Sequence, residues 1–133
     1  MAGPPVVAVL NSNDDTVELL RVYLENEGFV VISAHLAEMK RAAASIDEYI
    51  TEHDPRVVIF DLAPPYDRSW LFLQHVRNQT SLKGRPFVLT STNPQHVFEI
   101  AKEAKEEEIL EIIGKPYDLQ QIIGAVKKAL GQR

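Results

Sequence analysis

The chain contains no cysteine, which excludes disulfides and thiolate metal sites and leaves a reducing compartment open to it. It has no basic excess: 14 Lys and Arg stand against 19 Asp and Glu, a formal net charge of −5. A nucleic-acid face needs clustered positive charge, so no nucleic-acid partner is expected for this domain. No apolar run approaches the roughly 20 residues that span a bilayer. Residues 1–5 offer neither the basic region nor the apolar stretch of a signal peptide. The expectations are no membrane partner and a cytoplasmic location. No glycine-rich loop follows the first apolar run, which argues against a bound nucleotide cofactor, although the hydroxyl-bearing loop there would suit a flavin phosphate. His35, His53, His75 and His96 lack metal-ligand spacing and read as surface or helix-end residues.

What is present is an alternation. Val6–Leu10, Phe29–Ile32, Val57–Phe60, Pro86–Thr90 and Ile109–Ile113 are short apolar runs, rich in β-branched residues, that read as buried strands. Between them lie helical patterns. The first carries Val17, Leu19, Leu20, Val22, Tyr23 and Leu24 as a broad apolar face. It opens on a Ser12/Asp15 capping box and closes at Gly28. A second runs from about Leu36 to Thr51 and is broken by Asp54-Pro55. A short third carries Trp70, Leu71, Leu73 and Val76, with Trp70 packing beside the rim. A fourth starts at Asn93-Pro94, with asparagine at the N-cap and proline at N1, and ends in Glu106-Glu107-Glu108. A fifth runs from about Asp118 to Leu130. Five strands alternating with five helices imply a doubly wound α/β fold of flavodoxin-like type: a parallel sheet in the order 2-1-3-4-5, covered on both faces. At 133 residues, one domain spanning 1–133 is expected.

In such a sheet ligands bind at the carboxyl ends of the strands. The run Arg56-Val57-Val58-Ile59-Phe60 ends on Asp61, and Pro64-Pro65 prevents the strand from continuing. Alone, Asp61 reads better as a turn residue. The same rim collects Asn11, Ser12 and nearby Asp14 after strand one, Thr90 and Ser91 after strand four, and Lys115 after strand five. A carboxylate nucleophile beside a hydroxyl and an ammonium is a workable phosphoryl-transfer site, because charge stabilisation is most of what that chemistry requires.

Asp61 with Pro65 four residues on, Leu89-Thr90-Ser91 and Lys115-Pro116 together resemble the receiver domains of bacterial two-component response regulators. Glu18-Leu19-Leu20-Arg21 through Gly28-Phe29 matches the wording of that family's first helix, and the likeness covers nearly the whole chain. The resemblance implies that Asp61 accepts a phosphoryl group from a histidine kinase or phosphotransfer protein, with Thr90 and Lys115 contacting that group. It implies no independent enzyme activity beyond phosphorylation and dephosphorylation of Asp61. It also implies a cis Lys115-Pro116 bond, and a homodimer through the helix-4, strand-5, helix-5 face, to which the Glu106–Glu108 run belongs. The implied cofactor is Mg²⁺, held by Asp61, Ser12, the backbone of Ala63 and Asp14.

Three departures set the chain apart. The family places two adjacent acids after strand one, whereas Asn11 and Ser12 stand here, both neutral. Mg²⁺ wants hard anionic oxygens, so its binding is expected to be weak or absent. Asp14 and Asp15 are the nearby substitutes, and they equally suit the start of a helix. Ile112 occupies the position, three before the lysine, that usually holds an aromatic switch residue. Ser69 replaces the glycine that generally opens helix three, and the loop Pro64–Arg68 ahead of it is stiff and decorated. Without the two acids Lys115 can pair with Asp61 unaided by metal. The alternative is therefore an atypical receiver that acts as a protein-interaction module without phosphorylation.

Overall fold

A computed structural model describes residues 3–41, 43–78, 82, 84–104, 109–115 and 118–131. Strands form where apolar β-branched residues run together: β1 (Val6–Asn11), β2 (Val30–His35), β3 (Val57–Leu62), β4 (Phe87–Ser91) and β5 (Ile109–Gly114). They pair in parallel in the order β2-β1-β3-β4-β5. Helices α1 (Asp14–Asn26), α2 (Leu36–Arg41), α3 (Ala43–His53), α4 (Tyr66–Arg77), α5 (Pro94–Ala104) and α6 (Leu119–Leu130) connect and cover them. This is the expected doubly wound sheet with one correction: the described residues hold six helices, not five. The single helix expected over Leu36–Thr51 is two elements, Leu36–Arg41 and Ala43–His53.

Alternation along the strands splits the interior in two. Ala8, Leu10, Val58, Phe60, Phe87 and Leu89 face one side, where Met39, Ile50, Trp70, Leu73, Val76 and Val97 pack on them from α2 to α5. Val7, Val9, Val57, Ile59, Val88 and Ile113 face the other side, under Leu20 and Leu24 of α1 and Ile122, Ile123 and Val126 of α6. Strands buried on both faces show no polar alternation, which is why they read as continuous apolar runs.

The helix ends follow local chemistry. Asn13, not Ser12, caps α1: its side chain accepts from the Thr16 amide at 2.9 Å. Gly28, at φ +97°, closes α1. Its amide donates to Glu25 O at 3.0 Å and that of Phe29 to Leu24 O at 3.1 Å, a Schellman pair that needs the left-handed residue glycine supplies. Asn93 caps α5 as expected, accepting from the His96 amide at 3.2 Å. Asp118 and Gln121 form a reciprocal capping box on α6. Three more expectations are corrected. Helix α4 begins at Tyr66, so Tyr66, Asp67 and Arg68 are its first turn rather than a loop, and Trp70 is its fifth residue. Strand β2 runs three residues past Ile32, to His35. The face of α1 is narrower than predicted: Leu20 and Leu24 are buried, while Leu19, Val22 and Tyr23 are exposed, as is Leu71 of α4. Pro116 and the Glu106–Glu108 run lie outside the described residues, so neither the cis Lys115-Pro116 bond nor the acidic contact can be placed. The described cis peptide is Pro64-Pro65. Among the described residues no helix is long and apolar enough to cross a membrane.

Candidate functional site

Register sets the rim. Asp61 of β3 lies level with Thr90 of β4, and Leu62 with Ser91. Asn11 of β1 is level with His35 of β2, one step beyond the Leu10–Phe60 pair of β1 and β3. Lys115 follows β5 directly and is tied to the rim by its amide, which donates to Ser91 O at 2.8 Å.

The three residues singled out from the sequence meet at one oxygen. Thr90 Oγ1 donates to Asp61 Oδ1 at 2.6 Å, and Lys115 Nζ stands 2.7 Å from the same atom. Asp61 is 5% exposed and Thr90 1% exposed, while the lysine side chain is 30% exposed. A carboxylate taken this far out of water needs compensation, and the hydroxyl and ammonium supply it. Among the described residues both donors lie on Oδ1 and none on Oδ2.

The other candidates are differently placed. Asn11 is buried, and its Oδ1 accepts from the Asn13 amide at 2.8 Å, so the amide oxygen shapes its own loop. Ser12 and Ala63 share with Asp61 a cleft of about 370 Å³ at the carboxyl edge. The Ala63 carbonyl accepts from Ser69 Oγ. Asp14 and Asp15 open α1, exposed, where acids favour the helix dipole, and neither lines the cleft. The donor set at Asp61 is thus one lysine-paired carboxylate, a serine hydroxyl and a carbonyl already bonded to Ser69. It fits a hard divalent ion poorly, since such sites are built on several carboxylate oxygens. Among the described residues no group of three or more His, Cys, Asp or Glu is arranged to hold a metal.

Two residues of the cleft escaped the sequence reading. From the sequence, His35 reads as a surface or helix-end residue because it lacks metal-ligand spacing. The longer β2 carries it to the carboxyl edge, where it lines the cleft. Its Nδ1 accepts from the Ala37 amide at 3.1 Å, so in the neutral ring the proton sits on Nε2. Arg68, a loop residue by sequence, stands in the first turn of α4, and its side chain lines the same cleft. The first turn of α4 is also tied to the β4–α5 loop through Tyr66 Oη on Thr92 Oγ1, and to the start of α5 through a ring contact between Tyr66 and His96 at 5.6 Å. At the usual switch position, Ile112 packs half-buried against the core of α2 to α5.

No protein-family model and no curated protein matches the chain. Solved structures do. The chain is similar to a response regulator from Thermotoga maritima, with TM-score 0.72 and 18% identity over 97% of this chain and 99% of that one. It is similar to the chemotaxis response regulator CheY4 of Vibrio cholerae, with TM-score 0.72 and 17% identity over 95% and 98%. A sensor protein from Polaromonas sp. JS666 gives TM-score 0.73 and 20% identity over 95% of each chain. At such identities the likeness establishes architecture, and the architecture of this chain is that of the CheY-like response-regulator receiver domains.

Proposed function

We propose that the chain is a receiver domain in phosphorelay signalling, in which Asp61 accepts a phosphoryl group from the phosphohistidine of a histidine kinase or phosphotransfer protein. The observation that carries this reading is the convergence of Thr90 Oγ1 and Lys115 Nζ on Asp61 Oδ1. Oδ2 attacks phosphorus as the P–N bond breaks. The imidazole leaves with the bonding pair and takes up a proton, and Asp61 becomes an acyl phosphate. Thr90 and Lys115 then turn from Oδ1 to the phosphoryl oxygens, where their donors offset the added charge. Mg²⁺ is held only weakly, because Asn11 and Ser12 bring no charge to it. Homodimerisation would use α5, β5 and α6, where Phe98 of α5 is 55% exposed.

A second reading, a protein-interaction module that works without phosphorylation, is favoured by the lysine-neutralised rim itself. Intact mass after incubation with acetyl phosphate and Mg²⁺ separates the two. One added phosphoryl mass on wild type, absent from Asp61→Asn, supports the phosphoacceptor. No added mass over a wide Mg²⁺ range sinks it and leaves the interaction module.

A further inference from the structure

We propose that the cleft beside Asp61 binds a small organic anion: an oxyanion group carried on an apolar body about the size of one aromatic ring. Its volume, about 370 Å³, lies at the low end of the roughly 300–1,000 Å³ typical of small-molecule sites.

The lining has two chemically distinct parts. Leu36, Phe60, Phe72 and Pro64 give an apolar wall. Arg68, His35 and Ser12 give a polar one, with Asp61 and its Lys115 partner at the edge. The charges there do not suit a cation. Asp61 is the one carboxylate of the lining, and Lys115 at 2.7 Å already neutralises it. Arg68 adds a full positive charge, with no hydrogen bond or ion pair to any described residue. The remaining acids nearby stand apart from the lining: Asp67 is turned toward His96, with Nε2 at 4.0 Å, and Asp14 and Asp15 begin α1.

A guanidinium presents a planar fork that matches carboxylate and phosphate oxygens in pairs. His35, at the carboxyl end of β2, offers Nε2–H as a further donor, since its Nδ1 is already occupied as an acceptor. Arg68 also belongs to the first turn of α4, a 12-residue helix whose amino end adds its partial positive charge. Where a typical member of the fold family concentrates acids for a cation, this rim concentrates cations around one neutralised acid. A bound anion would sit over Asp61 and block access to it. Such a ligand would set how much of the domain is open to a phosphodonor or a partner.

The test uses phenylphosphonate, whose P–C bond offers no transferable phosphoryl group, so its binding does not depend on whether Asp61 is a phosphoacceptor. Titration is followed by the backbone amide shifts of His35, Arg68 and Ser69, with benzyl alcohol and inorganic phosphate as the uncharged and bodiless controls. Saturable binding of phenylphosphonate is expected, about tenfold tighter than phosphate, with no binding of benzyl alcohol. Arg68→Gln is expected to weaken it at least about tenfold and Arg68→Lys less. The arginine is exposed and unpaired among the described residues, so these variants retain the fold. Absence of saturation at millimolar phenylphosphonate overturns the proposal. So does equal affinity in Arg68→Gln, or benzyl alcohol binding as well as the anion.

Discussion

Restoring the two acids that the rim lacks is the sharpest perturbation of its electrostatics. In Asn11→Asp/Ser12→Asp, the first new carboxylate enters a position 3% exposed, one step beyond Leu10 as Asp61, itself 5% exposed, is one step beyond the paired Phe60, so that the two share a row. Adjacent strands lie about 4.8 Å apart. Two like charges at about 5 Å in an effective dielectric of about 20 repel by about 3 kcal/mol. Lys115, 2.7 Å from Asp61 Oδ1, offsets part of this. The second carboxylate, at exposed Ser12, adds less than about 1 kcal/mol in water. Without metal the variant is therefore expected to lose about 2 kcal/mol, near 1 M in urea midpoint for a domain of this size. With Mg²⁺ at a hundredfold excess over its dissociation constant, binding returns about 2.7 kcal/mol. The assay is urea unfolding by circular dichroism at zero and saturating Mg²⁺, for wild type and variant. Wild type is expected to keep one midpoint, and the variant to gain most of its loss back. An equal Mg²⁺ response in wild type would show that ligation never needed the acids. A variant as stable as wild type, and unmoved by Mg²⁺, would refute the electrostatic account of the rim.

Two further predictions concern packing. A Cβ at Gly114 would lie 2.8 Å from Pro94 Cγ and 3.3 Å from Cδ, and a proline ring at the start of α5 cannot rotate aside. Gly114→Ala is expected to destabilise by about 1–3 kcal/mol in chemical denaturation, and an unchanged midpoint would show that the β5–α5 contact is looser. On α1, Leu20→Ala should cost about 2–5 kcal/mol and Leu19→Ala no more than about 0.5 kcal/mol, from exposures of 1% and 49%. Comparable thermal shifts for the two would mean that α1 presents its other face to the sheet.

The sheet was legible because a strand covered on both sides carries its signal in every residue. The rim was legible because Asp61, Thr90 and Lys115 each stand at or just beyond the carboxyl end of such a strand, and parallel pairing brings strand ends together. What the sequence hid was anything decided by orientation. Leu19, Leu20, Val22, Tyr23 and Leu24 are all apolar, and only docking onto Val7 and Val9 selects Leu20 and Leu24 as the buried pair. Ser12 and Asn13 are both good caps, and the choice depends on where the backbone turns. Strand β2 continues through Ser33, Ala34 and His35 because β1 offers them partners up to Asn11, a tertiary cause that overrides their weak strand propensity. That extension brings His35 to the cleft, and the early start of α4 at Tyr66 does the same for Arg68.

The division of the interior has a consequence for how the protein is made. One face of the sheet is covered by helices that emerge interleaved with its strands. The opposite face depends on α1 and on α6, the last element in the chain order. In vectorial synthesis Val9, Val57, Ile59 and Val88 leave the ribosome before Ile122, Ile123 and Val126 do. Part of that apolar surface stays bare until α6 has also emerged, a window in which sticky intermediates invite misassembly or chaperones.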